Sequence, residues 1–411
     1  MEEPNISLST AARPNNIEQV PYLLEEISNG TRSPANLPDE KRKELLLKCR
    51  SLLHSLQTPR ETVVDHTWGQ IGAISAITFG VDCGLWDLMA QNGDGAQKVG
   101  DLATSLGVNP KLLGRLMRHL ATMGLLTEVG EDEYKTTNYT KCLSLPEIGH
   151  GYIGLTSCTA VGALKFHEFS RRRDWVNPSD AKDTSLMQAC GTDMDVFSWV
   201  DKLGYLTQFN NYLAGYGLGR LRWFDPSVYP VTERLIDGAD TDPDAAFLVD
   251  IGGNVGHDLA RFRNAYPALP GKLILQDLPM MIDQVTDLDP EIVCMKHDFH
   301  NEQPVKGARA YYLHSTLHNW PDDTCTIILT QIKGAMKPGY SKLLINEYVV
   351  PKVGAYWETT GLDLMMMSLC SSEERTYEDW LNLLEQKVGL KVVHIWGAGK
   401  GVESLIECKL P

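Results

Sequence analysis

The run Asp250-Ile251-Gly252-Gly253-Asn254-Val255-Gly256 continues an apolar segment that starts at Phe247, and it leads into a helical pattern. Glycines at a strand-to-helix turn let the backbone approach a ligand closely, and the helix N-terminus behind them favours negative charge. A glycine cluster alone is weak, because tight turns also use glycine. Its surroundings strengthen it. Asp277 ends the next apolar run 21 residues beyond Gly256, where an acid can bind ribose hydroxyls, and Asp298 follows the third run after another 21. Acids at successive strand ends lie on the carboxyl edge of a sheet, where such folds hold ligands. His318, in Leu317-His318-Asn319-Trp320, follows a fourth run at the same edge; Glu347 ends a fifth, and Glu374 stands in Glu374-Arg375-Thr376. An imidazole that titrates near neutrality, beside a carboxylate that stabilises its cation, makes a general base. By residue type alone this stays open. A single His is usually a satisfied structural residue, and Glu374 beside Glu373 is usually a solvated face. His54, His66, His150, His167, His297 and His394 show no HExxH or comparable spacing, so no metal is expected.

The elements that must position these residues are strands and crossover helices. Apolar runs at 247–251, 272–275, 292–295, 308–313 and 342–346 are separated by crossover-length gaps, which implies parallel strands in βαβ units. Runs at 391–395 and 404–407 are joined by a short Gly-rich segment and read as an antiparallel hairpin. The expected architecture is α/β, a doubly wound, Rossmann-like domain over 241–411. Residues 146–240 read as helices rich in aromatics, more often core than pocket.

Residues 1–59 read as a loose arm to about residue 38, with Val20 to Ile27 able to dock as a short helix, followed by a helix over 41–56. Over 60–145 the pattern is a long apolar helix (Val64 to Ala90), a helix ending at Leu106, a turn with Asn109 as N-cap and Pro110 at N1, a Leu-rich helix, and a hairpin around Gly130. That order describes a winged helix. Its wing carries Glu128, Glu131, Asp132 and Glu133, the wrong sign for phosphate contacts, so a packing or dimerisation module is expected.

Composition agrees. Of 411 residues, 38 are Lys or Arg and 53 Asp or Glu, a net charge of −15 that disfavours nucleic acid and anionic membranes. The stretch Trp68 to Met89 is interrupted by Asp82 and Asp87 and falls short of a membrane span. Nine cysteines are scattered without paired spacing, and MEEPNISLSTAARP lacks the regions of a secretory signal, so a reduced, cytoplasmic protein is expected.

Six motifs, LVDIGGNVGHD, LILQDLP, KHDF, YYLHSTLHNWPDD, LLINEYVVP and EERTYEDW, occur in one order over roughly residues 60–411. Together they resemble the caffeic-acid-type class I O-methyltransferases, and most closely the branch used in fungal secondary metabolism. The resemblance implies S-adenosylmethionine (SAM) as cofactor. Asp250, Gly252, Gly253, Asn254 and Gly256 would hold its methionyl end, Asp277 with Leu278 its ribose, and Asp298 with Phe299 its adenine. His314 stands where the family commonly has Lys or Arg near the cofactor. Asn254 stands where it usually has Gly; that position needs positive φ, which Asn tolerates best among other residues, but its side chain is expected to intrude near the ligand.

The resemblance also implies His318 as general base, flanked by Glu347 and Glu374. An unperturbed imidazole at about 6.5 facing a phenol at about 10 would need about 5 kcal/mol for full proton transfer, which a carboxylate partner reduces. Met365, Met366, Leu213 and Trp320 are the acceptor-binding candidates. The segment Ser368-Leu369-Cys370-Ser371-Ser372 lacks the Asn of the plant branch, which argues for a different acceptor from a small methoxyphenol. The expected function is methyl transfer to a hydroxyl of an aromatic or polyketide-derived metabolite, by a homodimer formed through the N-terminal module and the Trp68 to Met89 helix. The alternative is a SAM-bound pericyclase or dehydratase of polyketide or alkaloid biosynthesis that consumes no SAM.

Overall fold

The structure, a computed structural model, describes residues 7–30, 37–397 and 399–411. It divides into two compact units, Met1–Tyr152 and Ile153–Pro411. The expected arm over 1–38 lies partly outside the described residues. Within its described part, the short docked helix that the sequence allows at Val20 to Ile27 is present: Val20–Gly30 is a helix that buries Leu23 and packs on the helix Asp39–Leu56, with Lys48 Nζ 2.7 Å from Glu26 Oε2.

The single long helix expected over 64–90 is instead four pieces. Pro59–Val64 continues through a wide π turn, Asp65–Gln70, into Ile71–Asp82, and Leu85–Gln91 leaves at a bend. Gly84, at φ +76°, makes the bend in the left-handed region that glycine reaches without strain. The bend folds Trp86 back, so that its Nε1 donates to Ile77 O at 3.1 Å, and a Cβ on Gly80 would lie 2.5 Å from the indole. The winged-helix pattern follows. Asn109 Oδ1 accepts from Leu112 N–H at 3.1 Å at the start of the helix Pro110–Thr122. Strands β2 (Leu126–Gly130) and β3 (Glu133–Thr136) form the hairpin, and β1 (Gln97–Lys98) adds a third strand beside β3.

The larger unit is built on a seven-stranded sheet of β4 (Ala246–Ile251), β5 (Lys272–Asp277), β6 (Ile292–Lys296), β7 (Ala310–His314), β8 (Lys342–Glu347), β9 (Lys391–Gly397) and β10 (Ser404–Lys409). Their spatial order is β6-β5-β4-β7-β8-β10-β9. The first five are parallel, and β10 runs antiparallel between β8 and β9. The central strands are apolar throughout because both faces are covered. Tyr311, Leu313, Leu343 and Ile345 pack on one side, Ala310, Tyr312 and Leu344 on the other. On the second side Trp223 stacks on Phe262, ring centroids 5.2 Å apart. Strand order reverses between β4 and β7, and in a doubly wound sheet the crevice at that reversal takes the ligand. Among the described residues no single helix is long and apolar enough to cross a membrane.

Candidate active site

The segments leaving β4 and β7 at the reversal carry the glycine-rich turn and His318; β5 and β8 end in Asp277 and Glu347, and Asp298 follows β6. After β4, Gly252 (φ +73°), Asn254 (φ +55°) and Gly256 (φ +88°) adopt left-handed backbone. Neighbours fill the places that side chains would need. A Cβ on Gly253 would lie 2.5 Å from Asp250 Oδ2, and one on Gly252 would lie 3.2 Å from Thr316 Oγ1. Asp250 is buried and its Oδ2 has no hydrogen-bond partner among the described residues; burial pushes its carboxyl well above the usual range.

Asp277, at the end of β5, accepts from Asn254 N–H at 2.8 Å and from Leu278 N–H at 2.7 Å. Burial outweighs these donors and raises its pKa to about 6. Leu278 beside it is exposed. Asp298 Oδ1 accepts from His300 N–H at 3.0 Å and lies 2.8 Å from His300 Nδ1. Phe299 lies against Gly252, with Cε1 3.6 Å from where a Cβ would stand. Trp320 meets His300 edge-on at 5.1 Å and Phe299 at 6.1 Å. It therefore stands with the aromatics beside Asp298. Met365, Met366 and Leu213 do come together, in a cluster with Phe209, Leu369 and Cys370.

His318 sits in the short turn Leu317–Asn319 after β7. Its Nδ1 is 2.7 Å from Glu374 Oε1 and 3.8 Å from Glu347 Oε2, and all three side chains are buried. Glu347 Oε1 accepts the backbone N–H groups of Thr316 and Leu317, both at 2.8 Å, which fixes the turn. Arg375, wholly buried, holds the same turn from below: Nη1 donates to Leu317 O at 3.2 Å, Nη2 to Trp320 O at 2.9 Å, and Nε to Asp322 at 2.9 Å. Ser372 Oγ donates to His318 O. Burial alone would lower the His318 pKa, but the carboxylates of Glu347 and Glu374 outweigh it and bring it to about 9. Burial raises Glu347 against the attraction of His318. The ligand atoms of the triad lie within 4.8 Å of one another, a spacing compatible with a cation, which would have to displace the proton that Nδ1 shares with Glu374.

His314 differs from its expected place beside a cofactor in one respect: both ring nitrogens are engaged within the protein. Nδ1 is 2.5 Å from Asp258 Oδ2, and Nε2 is 3.0 Å from the Tyr216 hydroxyl. Asp258 overcomes the effect of burial and brings His314 to about 9, while His314 holds Asp258 well below the carboxylate range despite burial. Sequence spacing gives no sign of Tyr216, 98 residues from His314. Asp258 and Arg375 stand inside recognised motifs, and an acid in the first turn of a helix was the available signal for the former.

A glycine-lined turn, acids at successive strand ends and a buried His-carboxylate pair at one reversal point define a ligand-binding α/β enzyme site of the doubly wound class. Residues 232–389 match the O-methyltransferase domain, and residues 70–144 the O-methyltransferase dimerisation domain. Methyltransferase cfoC of Aspergillus candidus is 35% identical over 92% of this chain and 93% of its own. O-methyltransferase mpaG of Penicillium brevicompactum is 31% identical over 94% and 98%. The chain belongs to the O-methyltransferase family. Among solved structures, a pericyclic reaction enzyme is 30% identical with a TM-score of 0.84 over 96% of this chain and 100% of its own. LepI in complex with SAM matches with the same identity and TM-score over 96% and 99%.

Proposed function

We propose that this protein is a SAM-dependent O-methyltransferase acting on a hydroxyl of an aromatic or polyketide-derived secondary metabolite, with His318 as general base. The residues at the sheet edge fit the cofactor. Asp250 to Gly256, with the unpartnered Asp250 Oδ2 and the filled Cβ positions, would hold the methionyl end. Asp277 and Leu278 would take the ribose, and Asp298 and Phe299 the adenine. When bound, SAM supplies a methyl group made electrophilic by its sulfonium.

The observation that carries the reading is the 2.7 Å pairing of His318 Nδ1 with Glu374, which leaves Nε2 as the ring nitrogen open to an acceptor among the described residues. Nε2 takes the acceptor proton, Glu374 stabilises the imidazolium, and Glu347 adds negative charge and holds the turn. With His318 at about 9, transfer from a phenol at about 10 is uphill by about 1.4 kcal/mol. Met365, Met366 and Leu213 would line an apolar acceptor wall. The dimerisation-domain match supports a homodimer, and nine unpaired thiols support a reducing compartment such as the cytoplasm. Incubation with methyl-labelled SAM and aromatic polyketides tests the proposal: labelled product and S-adenosylhomocysteine (SAH) should appear together.

A second reading, a SAM-bound pericyclase or dehydratase, is favoured by the likeness to a pericyclic reaction enzyme. A His318 held cationic at neutral pH would serve it as a hydrogen-bond donor that polarises the substrate. Product formation with no SAH would select this reading.

A further inference from the structure

Asn254 stands in left-handed backbone at φ +55°, where glycine fits without strain, so an asparagine there calls for a task. Its side chain is engaged within the protein through both amide atoms. Oδ1 accepts from Val255 N–H at 2.7 Å, and Nδ2 donates to Asn210 Oδ1 at 3.0 Å. Asn210 is buried on the helix Leu206–Gly215, and its Nδ2 donates to Gln284 Oε1 at 3.3 Å. Gln284 in turn donates to Met280 O at 2.9 Å, just beyond Asp277-Leu278. One chain of amides thus joins both cofactor segments to one helix. The neighbouring positions Phe209 and Leu213 of that helix pack with Met365, Met366, Leu369 and Cys370, the apolar acceptor wall. The end of the helix is tied to the same edge, because Arg261 Nη2 donates to Ala214 O at 2.9 Å.

We propose that Asn254 is a positioning residue that couples the cofactor turn to the acceptor wall through Asn210, so that cofactor binding orders the 206–215 helix. The inference rests on the SAM-binding reading above. Each side of the latch bears on a ligand: Asn254 N–H also holds the Asp277 carboxylate, and Leu213 lies four residues beyond Phe209 on the acceptor side. Ordering one side lowers the conformational freedom the other must lose.

Hydrogen–deuterium exchange over residues 206–215, with and without SAH, tests it. Asn254→Gly suits the backbone and should fold; Asn210→Ala removes the other half from the helix side. The expected result is exchange about fivefold faster than wild type in both variants without ligand, and loss of the extra protection that SAH gives wild type. The double variant should be no worse than either single one. Asn210→Asp keeps the acceptor for Asn254 Nδ2 and should restore the SAH-induced protection. Equal exchange in wild type and Asn254→Gly, with SAH bound to both, overturns the coupling alone. A wild-type protein that binds no SAH in calorimetry overturns the methyltransferase reading, and the coupling with it.

Discussion

His318 Nδ1 lies 2.7 Å from Glu374 Oε1 and 3.8 Å from Glu347 Oε2, so one buried imidazole faces two buried carboxylates. Two opposing effects act on it, burial that disfavours its charge and carboxylates that favour it, and the carboxylates win. The outcome is a strong base that is mostly protonated at pH 7. Methyl transfer should therefore speed up as pH rises, with the rate levelling near pH 9. A donor role for the imidazolium gives the opposite limb, flat below and falling above the same pH. A pH–rate profile distinguishes the two.

Glu374→Gln keeps an acceptor for Nδ1 but removes one of the two charges. The plateau of the profile should move toward neutral pH, and the maximal rate should fall on the order of 10- to 100-fold. An unchanged profile would place the His318 shift elsewhere.

The Asp258–His314 pair bears on stability. His314 is raised to about 9 from its ordinary value near 6.5, so its contribution is full below about 6.5 and is lost as pH rises through about 9. Asp258 is depressed, so its contribution is lost only in acid, below its ordinary range. Asp258→Asn should cost about 2 kcal/mol at pH 7, a fall in Tm of about 5 °C, and the gap from wild type should narrow at pH 9.5. Thermal unfolding at the two pH values checks both statements.

Burial leaves Asp277 at about 6. If its carboxylate receives ribose hydroxyls, SAH affinity should weaken as pH falls below 6, approaching tenfold per unit. Asp277→Asn should bind weakly with little pH dependence, as calorimetry between pH 5 and 8 would show.

Trp68 is 71% exposed and Ile71 is 47% exposed on adjoining turns, with Val63 and Ile74 also open to solvent. If this face meets its copy, Trp68→Asp with Ile71→Asp should halve the mass seen by light scattering while leaving the fold intact. Dimers that survive both changes would move the interface to another face.

Legibility in the sequence followed the range of the forces involved. All seven strands of the larger sheet could be read: the central ones are apolar runs because both faces are covered, the edge strands β6 and β9 keep enough apolar residues to show, and the gaps set the direction of pairing. The turn at Asn109-Pro110 was equally plain, since capping is decided within four residues. The bend at Gly84 was missed: hydrophobic pattern runs on through Trp68 to Met89, and the break depends on Trp86 folding onto Gly80. At the site, the motif residues could be named, but the partners that set their chemistry could not. Tyr216 and Asn210 reach His314 and Asn254 across 98 and 44 residues, and nothing local marks them. The pairing of Asn254 with Asn210 and the packing of Met365 with Phe209 depend on the same long-range packing.

The most direct test is single-turnover methyl transfer from labelled SAM by wild type and by His318→Ala, with SAH binding measured on both. The base assignment predicts a rate lower by 10²- to 10⁴-fold in the variant at unchanged SAH affinity. Methyl transfer by His318→Ala at a rate near that of wild type would contradict it.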